Sequence, residues 1–435
     1  MRLINIAWNL GGLGGPLIVA FLTIPSLIEM IGMERFGLLA LAWGLIGFAG
    51  IFDLGIGRAT TQSIARLRGS NQLEQVPAVL KTAATLSFRT GLVGTVLLGI
   101  AILAGAHTYI KYAVELDTEV TIAAYLLAVA IPIQSMSAMF RGVNEAFDNF
   151  RDISLVRIGL GIANFLGPFC VAIFTTNLSV LVSTLLLSRM IAFFLFRKFA
   201  KACLARQLPT EAHGATLQAS TVIAKQLLSF GGWFTVSSLI SPVLVQADRF
   251  FIGALISATA IATYTIPYEV VTQSLIIVGA ISSVAFPSLS ALVHSQPDKA
   301  ETMFRTWLFR VAVIMLVVTS LCALLLPVIL PWWIGPKLPV ESVLIGQILC
   351  VGIFANSLGS MYFALLHANG RADITAKLHL IELPLFLFSL NILIANFGVV
   401  GAALAWVGRM MFDTFSLWVA HRMYLPRLIV NQGAK

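Results

Sequence analysis

Apolar residues fall in long runs along this chain, separated by short polar or turn-forming stretches. The runs lie near 5–31, 36–60, 83–105, 120–140, 155–176, 178–197, 229–255, 260–288, 307–334, 341–367, 377–396 and 399–420. A bilayer crossing needs roughly 20 apolar residues, because about 30 Å of hydrocarbon is covered at about 1.5 Å per residue. The runs are continuously apolar rather than alternating, which predicts about twelve transmembrane helices and argues against barrel strands. The first run is longer than the core of a secretory signal, and no small-residue cleavage site follows it before Glu34. It reads as a retained first helix.

Composition points the same way, with 58% hydrophobic and 11% charged residues against about 45–50% and about 25% in soluble proteins. The net charge of +9 follows the membrane periodicity instead of forming one patch, so nucleic acid is not expected as a partner. Arg35, Lys111 and Lys337 fall on outer loops, and Arg89, Arg189, Arg249 and Arg409 fall within spans; every other lysine and arginine lies on the inner side when the N-terminus is inside. Positive residues on short loops stay cytoplasmic, so both termini are expected there. No loop could hold a soluble catalytic domain, and 198–228 has room for at most a short amphipathic helix on the membrane surface. No Gly-Lys pair occurs, which excludes a phosphate-binding loop. The dispersed Cys170, Cys203, Cys322 and Cys350 suggest neither disulfides nor a zinc site and read as small buried residues. Neither a metal nor a cofactor is expected, and the chain does not read as an enzyme.

The halves align on each other. SFRTG (87–91) falls on LFRVA (308–312) at an offset of 221, while FRDISLVR (150–157) falls on GRADITAK (370–377) and SRMIAFF (188–194) on GRMMFDT (408–414) at 220. This predicts a duplicated six-helix unit: one lobe over 1–199, a cytoplasmic linker over 200–228 and a second lobe over 229–435. Six is even, so the repeats run in parallel, the arrangement in which two lobes enclose a central cavity and substrate binds at their interface. The expected fold is therefore an all-α integral membrane protein built for alternating access.

Charges inside spans are the candidate site. An ionised residue at bilayer depth costs roughly 2.5–3.5 kcal/mol even on lenient scales, so each must face protein or water. Asp248 and Arg249 sit in the seventh run, about 100° apart around the helix, which makes them poor mutual partners. Arg409 and Asp413 are four residues apart and can pair along one face. Arg189 lies deep in the sixth run, whereas Arg89 is near enough to the inner surface to snorkel. The cavity arginines proposed for substrate binding are thus Arg249, Arg189, Arg409 and Arg89. Asp248, Asp413, Glu29 and Glu269 are candidates for charge partners or ion coupling.

Three motifs carry a resemblance. RFGLLALAWGLIGFAGIFDLGIGRATTQSIAR (35–66) contains Asp53 and Arg58, and QADRFFIG (246–253) and GRADITAKLHLIELPLF (370–386) follow. With the spans and the repeat, they make the chain resemble polysaccharide exporters, the O-antigen translocase branch of the multidrug/oligosaccharidyl-lipid/polysaccharide flippase superfamily. The resemblance implies flipping of an undecaprenyl-diphosphate-linked oligosaccharide across a bacterial inner membrane, with arginines gripping the diphosphate. It also implies membrane lipids, a coupling proton or sodium ion, and glycan polymerase and chain-length proteins as partners. Asp53 and Arg58 match a motif that capping and lobe packing explain equally well. Within the superfamily, a drug/cation antiporter or a peptidoglycan-precursor flippase are rival readings. A membrane-embedded polymerase or ligase would need a larger outer loop.

Overall fold

The computed structural model describes residues 2–48, 52–70, 72–207, 221, 223–225, 232–282, 289, 296–369 and 371–432, and among these there is no strand. The principal helices are α1 Arg2–Phe48, α2 Ile56–Gly69, α3 Val76–Leu103, α4 Asp117–Ala146, α5 Phe150–Ala172 and α6 Leu178–Gln207. They continue with α7 Gly232–Leu255, α8 Ala258–Thr272, α9 Pro297–Ile334, α10 Glu341–Ala368 and α11 Ala372–Gln432. Among the described residues, nine stretches are long and apolar enough to cross a membrane. Two of them are broken helices: α1 turns at Gly32 (φ 81°, ψ 163°) and α11 at Gly398 (φ 59°, ψ −140°). Each break divides its helix into two segments, and α7 adds a further helix of 24 residues. The described helices follow the order of the apolar runs, in a multi-pass membrane protein.

The duplication is visible in the element boundaries. Val76 and Pro297 open α3 and α9, 221 residues apart, and both helices carry proline in their first turn, where its missing N–H costs nothing. Leu178 opens α6, and Gly398 breaks α11 220 residues later. The chain forms two compact units, Met1–Pro242 and Val243–Lys435. The division along the chain falls within α7, whereas the sequence places it in a 200–228 linker; residues 208–220, 222 and 226–228 of that segment lie outside the described residues.

The second span differs from expectation. It does not run on to residue 60, because the chain turns through Leu54 (φ 47°) and Gly55 (φ 72°) into α2. That helix is amphipathic: Ile56, Ala59, Thr60 and Ile64 are buried, while Arg58, Arg66 and Arg68 are exposed. The buried residues join an apolar cluster with Val79 and Ala83 of α3, Met139 and Val143 of α4, and Phe196 and Ala200 of α6. The DLGIGR stretch makes this docking possible. The Gly57 N–H donates to both Asp53 carboxylate oxygens at 3.3 and 3.1 Å, capping the start of α2. Gly57 and Gly142 let two backbones touch, since a Cβ on Gly142 would lie 2.2 Å from the Gly57 carbonyl oxygen. Thr61 Oγ1 then donates to the Gly142 carbonyl at 3.1 Å.

At the opposite end of this lobe, Arg35 grips Glu119 through two hydrogen bonds, 3.2 and 2.8 Å. Glu119 also accepts the Leu178 N–H at 2.7 Å, so one ion pair joins the starts of three spans. Cysteine burial is less uniform than expected, because Cys350 is buried, Cys203 and Cys322 are partly covered, and Cys170 is exposed.

Two outcomes follow for stability. Gly142→Ala forces α2 from α4 and lowers stability by about 1–3 kcal/mol, the usual range for overpacking. Gly99→Ala, with nothing within 4 Å of its Cβ, is the neutral control, and thermal unfolding in detergent compares them. Burial also pushes the Asp53 carboxyl up to about 6, against the pull of the Gly57 N–H, Arg141 and Arg58. A carboxyl raised in the folded state stabilises when protonated. That contribution is complete below its unfolded value and lost as pH rises through about 6. Wild type therefore loses up to about 3 kcal/mol relative to Asp53→Asn between about pH 4 and 7, because Asn also caps. Parallel pH dependence of the two melting curves would contradict this.

Candidate functional site

The second lobe gathers most of the charge that the sequence places inside spans. A tight turn joins α7 to α8, with the Ser257 hydroxyl accepting the Ala260 N–H at 3.1 Å. The turn brings residues on either side into register. Tyr264 donates its hydroxyl to Asp248 Oδ2 at 2.7 Å, and the Arg249 N–H donates to Asp248 Oδ1 at 2.7 Å. Arg249 itself reaches Glu269 at 2.6 Å and Gln246 one turn back, with its guanidinium over the Tyr268 ring, 4.9 Å from the centroid. Tyr268 stacks on Tyr264 and meets Trp406 edge-on. Asp248 and Arg249 therefore turn to different partners, both on α8. Asp248 is fully buried. The Arg249 side chain is 5% exposed while that of Glu269 is 50% exposed, so a sequestered cation has an accessible counter-ion.

A second knot lies alongside. Arg409 donates to the Leu244 carbonyl of α7 at 2.8 Å, and its Nε stands 3.7 Å from Glu382 Oε2. Its guanidinium also lies 5.3 Å from the centre of the Phe386 ring. The expected Arg409–Asp413 pairing along one helix face is replaced by this pairing across the Gly398 break. Asp413 instead joins Glu382 and His379: one ligand atom from each of the three lies within 4.8 Å of the others. Acids outnumber arginines in this lobe's network, since Asp248, Glu269, Glu382 and Asp413 accompany Arg249 and Arg409.

The first lobe is different. Arg189 on α6 donates to the Asn164 side chain on α5 at 3.1 Å, and its Nε has no hydrogen-bond partner. At offset 220, Arg189 corresponds to Arg409, while the positions of His379, Glu382 and Asp413 hold Gly159, Ile162 and Phe193. The duplicated arginine is kept, and its acidic surroundings exist in one lobe alone. Arg89 and its counterpart Arg310 are exposed on their helices, Arg310 over the Trp307 ring. Glu29 is exposed just before the Gly32 break, and Arg58 is exposed on α2. Asp53 acts as the helix cap described above.

Glu382, His379, Tyr264 and Gln246 were absent from the sequence-derived candidates. Glu382 had a readable signal, being the one acid in the apolar 377–396 run, within the third motif. Tyr264 carries no charge and becomes visible only once the α7–α8 turn sets its register.

Comparison with known proteins places this geometry. A curated "Putative O-antigen transporter" from Shigella flexneri is 29% identical over 421 residues, covering 96% of this chain and 97% of that protein. Among solved structures, an inward-facing multidrug resistance MATE family transporter of the MOP superfamily aligns with a TM-score of 0.76 at 18% identity, over 96% of this chain and 98% of that one. A MOP superfamily transporter from Pyrococcus furiosus, noted for the reverse polarity of its binding pocket, gives 0.68 at 15% identity over 96% and 94%. Residues 3–293 match the family described as polysaccharide biosynthesis protein. The match spans well over half of the chain and includes the first two motifs: this protein belongs to that polysaccharide biosynthesis family.

Proposed function

We propose that the chain is a flippase, not an enzyme, that moves an undecaprenyl-diphosphate-linked oligosaccharide across the bacterial inner membrane for surface polysaccharide assembly. Both termini face the cytoplasm, and the lobes alternate access to the two sides, driven by an ion gradient. The observation that carries this reading is Arg249, buried within a span and balanced by a carboxylate that is half exposed. A buried guanidinium needs a counter-ion, and one on an accessible side chain can be exchanged for another anion. Phosphate oxygens suit the exchange because the guanidinium fork grips them bidentately. The family match and the Shigella relative support a glycan cargo. Arg189, with a neutral partner, supplies a second basic position in the first lobe; Arg409 is committed to Glu382 and Leu244 and serves the lobe's own structure. Membrane lipids surround the chain, and glycan polymerase and chain-length proteins are its functional neighbours.

One observation favours a second reading. The acid excess of the second lobe is the feature a drug/cation antiporter would use, and solved transporters of that kind share this fold.

The two readings part at Arg249. For a diphosphate cargo, Arg249→Ala removes charge-assisted hydrogen bonds of about 1.5–3 kcal/mol and cuts surface glycan by about tenfold or more, with unchanged protein in the membrane. Arg249→Lys keeps the charge without the fork and retains an intermediate level. Wild-type glycan in Arg249→Ala cells would remove the residue from the cargo path. Coupling is checked separately: sealed vesicles with a collapsed ion gradient lose net flipping of lipid-linked oligosaccharide, and full flipping there would contradict it.

A further inference from the structure

Glu382 is the most enclosed acid in the second lobe besides Asp248. Its residue is 1% exposed and its side chain not at all, yet neither carboxylate oxygen has a hydrogen-bond partner. Asp248, by contrast, is satisfied by Tyr264 and a backbone N–H. Among the described residues, the cation beside Glu382 is Arg409, at 3.7 Å, too far for a hydrogen bond. Arg409 spends its Nη1 on the Leu244 carbonyl. Asp413 and His379 approach from the same element, with ligand atoms of all three groups within 4.8 Å of one another, and His379 Nδ1 is likewise buried without a partner.

Charge counting narrows what this arrangement takes. Two carboxylates and one arginine leave a single negative charge inside a span, where an unbalanced ion costs several kcal/mol. One bound monovalent cation cancels it, whereas a divalent metal overshoots and meets the adjacent guanidinium. Two carboxyl groups at such close range avoid double ionisation by sharing a proton, and the unpartnered Glu382 oxygens are the acceptors such a proton needs. Sodium would require several more oxygen ligands. The other titratable or charged groups within electrostatic reach are Asp248 on α7, Tyr268 on α8 and His367 on α10.

We infer that Glu382 and Asp413 form a proton-binding pair that holds one exchangeable proton, with His379 as its third polar neighbour. Protonation cancels the charge that holds Arg409 toward Glu382, and deprotonation restores it. Arg409 also anchors the Leu244 carbonyl, so the proton sets the strength of a link between α7 and the two segments of α11. This deepens the transport reading by naming the coupling ion and its seat, and it rests on that reading for its purpose though not for its chemistry.

The test uses the full-length protein in lipid nanodiscs, titrated with pH while the infrared band of protonated carboxyl groups is recorded. Wild type shows a band component that vanishes as pH rises. Glu382→Gln and Asp413→Asn each remove that component, because the remaining acid then sits alone beside Arg409 and stays ionised; Asp53 and Asp248 contribute equally to all three spectra and cancel. If one variant fails to fold, the other decides, and if both fail, the titration of Asp53→Asn decides, because that substitution removes the other carboxyl that titrates near 6. No titrating component in Asp53→Asn, its survival in both folded variants, or its loss on adding sodium or manganese at constant pH would overturn the proposal. None of these readings involves glycolipid, so failure of the flippase reading would leave a positive result standing, and the reverse also holds.

Discussion

Charge neutralisation inside a medium that cannot solvate ions is the constraint on which the second lobe depends. Water is absent from the hydrocarbon layer, so each ionised side chain there must meet an opposite charge or a polar group from a neighbouring segment. The chain meets this requirement with short connections. The α7–α8 turn delivers Tyr264 and Glu269 to Asp248 and Arg249, and the Gly398 break folds the last segment back so that Arg409 meets Glu382. Pairing between crossings holds these segments together where hydrophobic burial cannot, since lipid is as apolar as the helix faces. Exposed Phe88, Leu92, Val96, Leu316, Val317 and Leu324 illustrate that outward greasiness.

Duplication supplied the frame and divergence supplied the chemistry. The element starts at Val76 and Pro297, and at Leu178 and Gly398, keep their spacing, and Arg189 and Arg409 keep their chemical type. What changed is the company of the arginine. In the first lobe it meets an amide, and in the second a carboxylate with another carboxylate and an imidazole nearby. The first lobe instead spends its long-range ion pairs at helix ends, in Arg35–Glu119 and Arg68–Asp148, where they fix loops rather than sit at depth.

Much of the fold was legible because hydropathy is a sum over about twenty residues, and sums tolerate local error. The run at 36–60 shows where such sums fail. Its last residues are apolar enough to extend a span, yet Leu54 and Gly55 take left-handed backbone and redirect the chain into α2. The motif was readable as capping or packing, and Asp53, Gly57 and Gly142 give it that physical content. Partners across helices were less legible. Sequence offers i,i+4 neighbours, so Asp413 looked natural for Arg409, but a tertiary contact to Glu382 replaced it. Arg249 and Asp248 were correctly separated by the 100° helical step, although Glu269 could be assigned to Arg249 only after the turn at residues 255–258 was placed.

The contact between Gly57 and Gly142 leaves no space between two backbones. It allows α2 no slide of its own, and Arg58, Arg66 and Arg68 on its outer side move as α4 moves. Whatever shifts α4 therefore carries that row of guanidinium groups with it, as a single blade. Two residues without side chains thereby turn a short amphipathic helix into a rigid extension of a long one.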